Sequence, residues 1–310
     1  MLRKVIKREF DKIVYSSGLI NKVFRNINKA IQGFTSFRLR PYGVITVRYG
    51  TASFRMATNE TSFVTKQLFW KGPGNFEYTP IFERLIQQCT SFVDIGANTG
   101  YYSLLAAKAN PDAIVHAFEP ASGPFHFLRK NIEINGLRGR VLCHEVALSN
   151  QQGKVEFFEI INPLGTFARY NLSGVGGLKK THETQERSIR KIVRTETLDE
   201  FSDELQIRKF DLIKIDTEGT EDLVLEGARE IIERHKPIII CETLFNKIEP
   251  KLDKIMSGHG YHFYNHLNGK LHRANTIVRQ TDDGVSDCFF VHPGKLHLIK
   301  QFVADTGYSG

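Results

Sequence analysis

The fold is decided by the stretch Val93-Asp94-Ile95-Gly96-Ala97-Asn98-Thr99-Gly100, in which an apolar strand runs into a turn of small residues. Gly96 permits a tight turn and the close approach of a ligand to the backbone. Asn98 can adopt the left-handed conformation that most residues avoid. Gly100 lets the next helix begin close to the sheet, and Asp94 is placed to accept a hydrogen bond from a cationic amine. The stretch therefore predicts a ligand site at the end of a buried strand.

Strands and helices alternate from residue 91 onward. Apolar runs of strand length cover Ser91–Ile95, Ala113–Phe118, Val141–Leu148, Phe210–Ile215, Pro237–Cys241, Tyr261–Tyr264 and Cys288–His292. Helical patterns cover Tyr101–Ala109, Gly123–Ile134 and Glu221–Arg234. This alternation predicts an α/β fold with a mostly parallel sheet and helices on both of its faces. With 310 residues, 41% of them hydrophobic, the chain is long enough for one large domain of this kind with additions.

The first 74 residues have a different pattern. Residues 1–33 place apolar side chains at helical spacing among basic ones, and Gly33 marks the predicted end of the helix. Short strand patterns follow up to about residue 70. We therefore expect residues 1–74 to form a basic amphipathic helix with a small β extension, and residues 75–310 to form the main domain. Two strand-like segments around a polar loop predict a hairpin insertion in this domain, at residues 153–194.

The positive charge of the chain is concentrated at its start. Residues 1–40 hold ten of the 42 Lys and Arg residues and two of the 34 Asp and Glu residues, so this segment carries the whole net charge of +8. Such a segment either binds an anionic surface, phospholipid or nucleic acid, or is a solvated helix face. A peripheral membrane contact through residues 1–33 is one expectation. No signal peptide is evident and no apolar run is long enough to span a bilayer, so we expect a cytoplasmic protein, held in the first case at the inner membrane face.

The turn after the first strand discriminates between cofactors. Ligands of open α/β sheets bind beyond the carboxyl ends of the strands. A nicotinamide dinucleotide would require Gly-x-Gly-x-x-Gly, but positions 96, 98 and 101 are Gly, Asn and Tyr, and Tyr101 would crowd the helix start that receives a pyrophosphate. S-adenosylmethionine has no phosphate and does not need that opening. Glu119, at the end of the second strand, suits the two ribose hydroxyls, and Ala147, after the third, could line an adenine slot.

The fourth strand ends in two carboxylates, Asp216 and Glu218. They are two residues apart and therefore share one side of the extended chain. They could hold the methionine ammonium group, position an acceptor hydroxyl, or remove its proton. Glu242, at the end of the fifth strand, is a third candidate for the base. Thr220 is expected to cap the following helix, a structural role.

Several of these motifs resemble the FkbM family of methyltransferases. The similarity spans roughly residues 75–265, and its most specific part is Lys214-Ile215-Asp216-Thr217-Glu218-Gly219. The other matching segments are Phe92–Ser103, Glu119-Pro120, Asn131 to Asn135, Glu145–Ser149, Glu196–Asp199 and Pro237–Glu242. The resemblance implies a seven-stranded Rossmann-like class I methyltransferase sheet, with S-adenosylmethionine as methyl donor.

The resemblance also implies roles for individual residues. It places Asp94, Gly96, Asn98, Gly100 and Glu119 at the cofactor, and Asp216 and Glu218 at the reaction centre. Ala97, Ala147 and Asp216 complete the predicted cofactor site, and Glu242 completes the predicted catalytic set. Most family members are associated with O-methylation, so the expected acceptor is a hydroxyl group of a sugar, a glycolipid or a related metabolite.

The long loop from Asn162 to Arg187 is a candidate acceptor lid. It carries Arg169, Lys179, Lys180 and Arg187 among glycines. These cations would suit an anionic acceptor such as a sugar nucleotide, although a solvated loop explains them equally well.

Three alternatives remain open. A metal ion held by Asp216, Glu218 and Glu242 could assist the reaction, but nothing in the sequence requires one, and we predict no metal site. The chain could be an RNA methyltransferase that binds phosphates through its basic N-terminal segment. No recognised RNA-binding motif supports this, so nucleic acid is an unfavoured partner. It could also be a non-catalytic scaffold held at a membrane.

Overall fold

The computed structural model describes residues 2–160, 169–174, 176–177 and 188–305, in which the chain forms thirteen strands and eleven α-helices. The strands are β1 (Gly43–Tyr49), β2 (Ala52–Thr58), β3 (Ser91–Ile95), β4 (Ile114–Phe118), β5 (Val141–His144), β6 (Ala147–Leu148), β7 (Gly153–Ile160), β8 (Ser188–Glu196), β9 (Leu212–Ile215), β10 (Ile238–Glu242), β11 (His262–Leu267), β12 (Lys270–Ala274) and β13 (Asp287–Val291). The helices are α1 (Leu2–Val14), α2 (Gly18–Ala30), α3 (Phe63–Lys71), α4 (Thr79–Ile86), α5 (Tyr101–Ala109), α6 (Ser122–Ile134), α7 (Leu198–Glu204), α8 (Glu221–Glu226), α9 (Arg229–His235), α10 (Glu249–Gly258) and α11 (Leu296–Ile299).

Eight strands form the central sheet, in the order β12-β11-β13-β10-β9-β3-β4-β5. The strands from β10 to β5 pair in parallel, whereas β13, β11 and β12 pair antiparallel. The predicted α/β fold with a mostly parallel Rossmann-like sheet is confirmed. The predicted number of seven strands was one too low, because the polar edge strand β12 was not anticipated. The turn before it contains Asn268 and Gly269, both at positive φ, which is a hairpin signal that the sequence does contain.

Alternate residues of the central strands fill two hydrophobic layers, one on each face of the sheet. In β3, Phe92 packs in the layer that contains α4, α5 and α6, and Val93 packs in the layer that contains α7 to α10. In β9, Leu212 and Ile213 alternate in the same way. Lys214 follows them and is 4% exposed. The alternation therefore places an ammonium group on the first face, where the strand is otherwise apolar.

Three predicted elements are interrupted. The N-terminal helix is two helices, because the Ser17 side chain accepts a hydrogen bond from the backbone of Ile20 and starts α2. The predicted strand Val141–Leu148 divides into β5, which pairs with β4, and β6, which pairs with β8 in another sheet. The predicted helix Glu221–Arg234 divides at Gly227, where a β-carbon would meet the Ser149 carbonyl oxygen at 2.0 Å.

The small β extension, β1 paired with β2, is attached to the main domain by Asn131 of α6 and by Asn135, the residue that follows α6. The Asn131 side chain accepts a hydrogen bond from the Ala57 N–H at 2.7 Å and donates one to the Thr99 carbonyl at 2.9 Å. Asn135 makes a reciprocal pair of hydrogen bonds with the backbone of Arg55. These contacts assign a structural role to the motif segment 131–135. The domain boundary at residue 74 stays a prediction.

A separate three-stranded sheet, in the order β6-β8-β7, carries the predicted insertion. β7 and β8 pair antiparallel along their whole length, from Gly153 opposite Thr195 to Ile160 opposite Ser188. In the connecting loop, residues 169–174 and 176–177 are described. The predicted lid residues Lys179, Lys180 and Arg187 lie outside the described residues.

The longest helices in the described ranges are α1, α2 and α6, with 13 residues each. No helix there combines the length and the hydropathy that a membrane crossing requires.

Candidate active site

A cavity of about 260 Å³ opens at the carboxyl ends of the parallel strands. This is the edge of the sheet where α/β proteins bind ligands. The carboxylates on its wall come from six separate positions in the sequence: Glu77, Glu119, Glu159, Asp216, Glu218 and Glu242. Among the described residues that line it there is no Lys, Arg or His. The cavity therefore favours a cationic or neutral ligand.

The turn after β3 is fixed by contacts within the protein. Gly96 has a φ of +73°, and a β-carbon there would lie 1.8 Å from the carbonyl oxygen of Asp216. The backbone that approaches Gly96 most closely is therefore that of the β9 tip. Asn98 has a φ of +50°, which confirms the predicted left-handed conformation. A β-carbon at Gly100 would meet Leu128 at 2.5 Å, so this glycine brings α5 close to α6.

Glu119 ties the tip of β4 to the turn after β3. One carboxylate oxygen accepts a hydrogen bond from the Asn98 N–H, and the other accepts one from the Ala121 N–H, both at 2.8 Å. Burial raises the pKa of Glu119 to about 7, although both N–H groups act in the opposite direction. The carboxylate holds two backbone segments in place and still faces the cavity.

Lys214 connects the carboxylates of Asp94 and Asp216. Its Nζ atom lies 3.0 Å from Oδ2 of Asp216 and 3.9 Å from Oδ1 of Asp94. Burial disfavours its charged form, but Asp216 and Asp94 outweigh burial and raise the pKa of Lys214. Asp94 is 1% exposed and also accepts a 2.6 Å hydrogen bond from the Ser103 hydroxyl. Burial raises the pKa of Asp94, and Lys214 opposes that effect. The cation beside Asp94 in this structure is thus the protein's own ammonium group.

The segment after β9 is fixed by hydrogen bonds to a buried acid of α8. One oxygen of Glu221 accepts hydrogen bonds from the N–H and the hydroxyl of Thr217 and from the N–H of Gly219, at 2.8 to 3.1 Å. Glu218 has a φ of +62°, which is strained for a residue with a β-carbon. Thr220 precedes α8 as expected, but its hydroxyl donates to Thr217 and caps no helix N–H. Glu221 therefore shapes this segment of the cavity wall.

A second group of acids lies around Asp216. Burial raises the pKa of Glu77 to about 8, with Asp287 and Asp216 adding to the effect, while the Tyr102 hydroxyl donates a 2.9 Å hydrogen bond to it. Burial, followed by Asp216 and Glu218, raises the pKa of Glu242 to about 10. Burial and Asp216 raise the pKa of Asp287 to about 6. At neutral pH, Glu242 is therefore protonated and can donate a hydrogen bond.

A match to a known protein family identifies the domain that contains this cavity. The methyltransferase FkbM domain matches residues 94–263, which is more than half of the chain. The chain belongs to the FkbM methyltransferase family. Its expected membership is confirmed, and the matched range contains Asp94, Glu119, Asp216 and Glu242.

Two relatives within the FkbM family have descriptive names. The chain is 28% identical over 191 residues to the 31-O-demethyl-FK506 methyltransferase FkbM of Streptomyces tacrolimicus, which is 54% of this chain and 71% of that protein. It is 29% identical over 146 residues to the 2-O-methyltransferase NoeI of Sinorhizobium fredii, which is 46% of this chain and 58% of that protein. The solved methyltransferase FkbM from Methylobacillus flagellatus KT superposes with a TM-score of 0.42 and 17% identity, over 66% of this chain and 43% of that one.

Most predicted site residues line the cavity of this FkbM domain. They are Gly96, Asn98, Glu119, Ala147, Asp216, Glu218 and Glu242. Asp94, Ala97 and Gly100 are not among the residues that line it, and Lys214 links Asp94 to Asp216 on the cavity wall. The individual roles of all these residues stay predictions.

The ionisable residues of the site that were not predicted include Glu77, Glu159, Lys214 and Asp287. Lys214 could have been predicted from the sequence, because an ionisable residue inside an otherwise apolar strand requires a buried counter-charge. Glu77 precedes α4 and Asp287 begins the antiparallel strand β13, and neither follows a parallel strand. Only the tertiary structure brings them to Asp216.

The described residues contain no group of three or more His, Cys, Asp or Glu side chains arranged to hold a metal ion.

Proposed function

We propose that the chain transfers a methyl group from S-adenosylmethionine to a hydroxyl oxygen of a sugar, a glycolipid or a related metabolite. The observation that carries the proposal is the cavity at the strand tips, which six acidic side chains line and in which the described wall presents no basic side chain. S-adenosylmethionine, when bound, supplies a methyl group on positively charged sulfur together with a cationic amine. A wall of carboxylates favours both charges.

The residues present fit this cofactor. The apolar part of the wall, which includes Phe118, Val146 and Leu148, offers a surface for a purine beside Ala147. Glu119 faces the same space and can accept hydrogen bonds from two adjacent hydroxyls, as a ribose requires. The Oδ1 atom of Asn98 is buried and lacks a hydrogen-bond partner among the described residues, so it is available to a polar group of the ligand.

The charge of the cavity also restricts the acceptor. An anionic group close to Asp216 and Glu218 would be repelled by both carboxylates. The group that reacts is therefore a neutral hydroxyl. Any phosphate of a larger acceptor would lie away from this wall, toward the loop that contains Arg169.

Asp216 is the best-placed base for that hydroxyl. Lys214 binds its Oδ2 atom at 3.0 Å and fixes the side chain, so Oδ1 is the oxygen that would receive the proton. Glu218 is the second candidate, on the adjoining strained segment. Glu242, with its pKa raised to about 10, serves better as a hydrogen-bond donor to the acceptor than as a base.

The relatives support oxygen as the methylated atom. Two of them are named as a 31-O-demethyl-FK506 methyltransferase and as a 2-O-methyltransferase. The RNA alternative receives no such support, because phosphodiesters would meet the same acidic wall that excludes other anions.

Transfer of a labelled methyl group tests the proposal. The full chain would be incubated with methyl-labelled S-adenosylmethionine and cell extract separated into glycan, lipid, small-molecule and RNA fractions, and the labelled product would be analysed for an ether linkage. Asp216→Asn should lower the rate about 100-fold or more, in the range expected for loss of a general base. Glu233→Gln, at an exposed position of α9, is the matched control and should leave the rate unchanged. Label on nitrogen, on carbon or in RNA, or full activity of Asp216→Asn, would contradict the proposal.

A further inference from the structure

Helix α2 turns its polar side toward the protein. Asn21, Arg25 and Asn28 are its buried residues, spaced so that they share one face. Arg25 donates hydrogen bonds to the carbonyls of Tyr42 and Val44, both at 3.1 Å. Asn21 exchanges hydrogen bonds with the backbone of the same extended segment, donating to the carbonyl of residue 40 and accepting from the N–H of residue 42. The orientation of α2 is therefore fixed by specific polar contacts.

This orientation leaves the apolar side of α2 facing solvent. Leu19 is 74% exposed, Val23 52% and Ile27 54%, and Ile20, Phe24 and Ile31 are also exposed. At 3.6 residues per turn these six side chains cover about 140° of the helix circumference, the width of a core-facing stripe. In most globular proteins such an apolar stripe packs against the core, whereas in α2 it faces solvent.

The exposed apolar surface extends beyond α2. Phe10 of α1 packs edge to face on Phe24 at 5.8 Å, and Ile6 and Ile13 of α1 are exposed as well. Phe34, after the helix, is 93% exposed. Of the eighteen exposed large hydrophobic side chains in the described residues, eleven lie between residues 6 and 37. We call this surface the N-terminal apolar face: Ile6, Phe10, Ile13, Leu19, Ile20, Val23, Phe24, Ile27, Ile31, Phe34 and Phe37.

The same segment carries all of the net charge of the chain. Residues 1–40 have a net charge of +8, and the remaining residues have equal numbers of acids and bases. Lys22 and Lys29 are both exposed on α2, and Lys29 also donates a hydrogen bond to the Phe69 carbonyl at 3.2 Å. Two identical segments of charge +8 would repel each other, whereas an anionic bilayer attracts basic side chains and also accepts an apolar stripe. Charge and hydropathy together select that bilayer over a second copy of the chain.

We propose that the N-terminal apolar face docks the protein onto an anionic phospholipid membrane, with α1 and α2 lying in the plane of the interface. The aliphatic and aromatic side chains enter the boundary between headgroups and acyl chains, and exposed basic side chains such as Lys22 contact lipid phosphates. The contacts of Asn21, Arg25 and Asn28 keep the main domain on the aqueous side of α2. This docking is independent of which acceptor the cavity takes.

Vesicle flotation of the full chain tests the proposal. The probes are vesicles of phosphatidylcholine alone and of phosphatidylcholine mixed with phosphatidylglycerol. The triple variant Leu19→Gln/Val23→Gln/Ile27→Gln removes part of the stripe, while the buried contacts of α2 remain. The control is Ile189→Gln/Ile192→Gln/Leu205→Gln, which changes three exposed apolar residues of the main domain. Circular dichroism and the thermal midpoint would show that both variants are folded.

The unmodified chain and the control variant should float with the mixed vesicles. The stripe variant should partition at least about tenfold more weakly, because each buried apolar side chain adds to interfacial affinity. Raising the NaCl concentration from about 0.1 M to about 1 M should weaken binding, because the Debye length falls from about 10 Å to about 3 Å. Equal flotation of the stripe variant would overturn the proposal. Binding of the unmodified chain to RNA but not to vesicles would also overturn it. So would a dimer of the unmodified chain that is absent for the stripe variant in sedimentation velocity.

Discussion

The α-carbon of Gly96 lies against the carbonyl oxygen of Asp216, so closely that a β-carbon on residue 96 would be 1.8 Å from that oxygen. The Asp216 N–H also donates a 3.1 Å hydrogen bond to the carbonyl of Ile95. The turn proposed to bind the cofactor and the residue proposed to act on the acceptor are thus in direct backbone contact. Their relative position is fixed by the fold, as an in-line methyl transfer requires.

Replacement of Gly96 by alanine should therefore destabilise the protein strongly. The left-handed conformation at φ +73° costs about 1–2 kcal/mol for a residue with a β-carbon. The clash with Asp216 adds about 1–3 kcal/mol, as overpacking does in cores. Urea denaturation should show a loss of about 3 kcal/mol.

Gly136→Ala is the matched control for that substitution. Gly136 has a similar φ, +66°, but a β-carbon there would meet no atom within 4 Å. Only the conformational cost remains, about 1–2 kcal/mol. Equal losses at the two positions would show that the contact with Asp216 is unimportant.

Loss of the Lys214 ammonium group should leave Asp94 as a buried carboxylate without its counter-charge. Removal of one partner of a buried ion pair costs about 3–5 kcal/mol, and we expect a loss of this size for Lys214→Met in urea denaturation. Lys209→Met breaks the comparatively exposed Lys209–Asp211 ion pair and should cost less than about 1 kcal/mol. A small effect of Lys214→Met would mean that Asp94 is protonated in the folded protein at neutral pH.

The raised pKa of Glu242 predicts a specific dependence of stability on pH. The folded protein holds this proton up to about pH 10, whereas the unfolded chain releases it near pH 4.5. The stabilisation from the protonated group is thus fully present below pH 4.5 and is lost as the pH rises toward 10. Each pH unit in that window lowers the free energy of unfolding by at most about 1.4 kcal/mol.

Glu242→Gln cannot release a proton and should remove that contribution. The variant should gain stability relative to the unmodified chain as the pH rises from 5 to 9, measured as the urea midpoint at each pH. Glu233→Gln is exposed and serves as the control. If the free energy of unfolding changes equally with pH in Glu242→Gln and in the unmodified chain, Glu242 is ionised in the folded protein.

Cofactor affinity should depend on the charge of Glu119. Its pKa is raised to about 7, and a ribose diol requires the ionised form as the acceptor of two hydrogen bonds. Affinity for S-adenosylhomocysteine, measured by calorimetry, should therefore fall as the pH decreases from 8 to 6. Glu119→Gln should bind at least about tenfold more weakly at pH 8 and should lose this contribution to the pH dependence. An unchanged affinity of Glu119→Gln would remove this residue from the cofactor site.

The position of those site residues that follow parallel strands could be predicted from the sequence. The turn from Gly96 to Gly100, the carboxylates of Glu119 and Asp216, and the alternation of strands and helices all have local signals with a physical cause. The topology then brings the ends of the strands together, so Asn98 and Glu119 meet although 21 residues separate them.

The remaining features depend on long-range contacts. The break at Gly227 follows from the close approach of the Ser149 carbonyl, which the helical pattern around Gly227 does not reveal. Glu77 and Asp287 reach the site from a loop and from an antiparallel strand, to which the rule about strand ends does not apply. The apolar side of α2 faces solvent because Arg25, on the opposite side, donates hydrogen bonds to the carbonyls of residues 42 and 44. These long-range contacts cannot be predicted from the local sequence.

Calorimetric titration of the purified full chain with S-adenosylhomocysteine, the uncharged thioether left after methyl transfer, shows whether the acidic cavity at the strand tips binds the S-adenosyl nucleoside. S-adenosylmethionine and adenosine would be titrated in parallel. The expected result is one site per chain, with S-adenosylmethionine and S-adenosylhomocysteine both bound more tightly than adenosine, because the carboxylates also bind the amino-acid part. Absence of binding by either methionine-derived nucleoside, or equal affinity for adenosine, would contradict the assignment of this cavity.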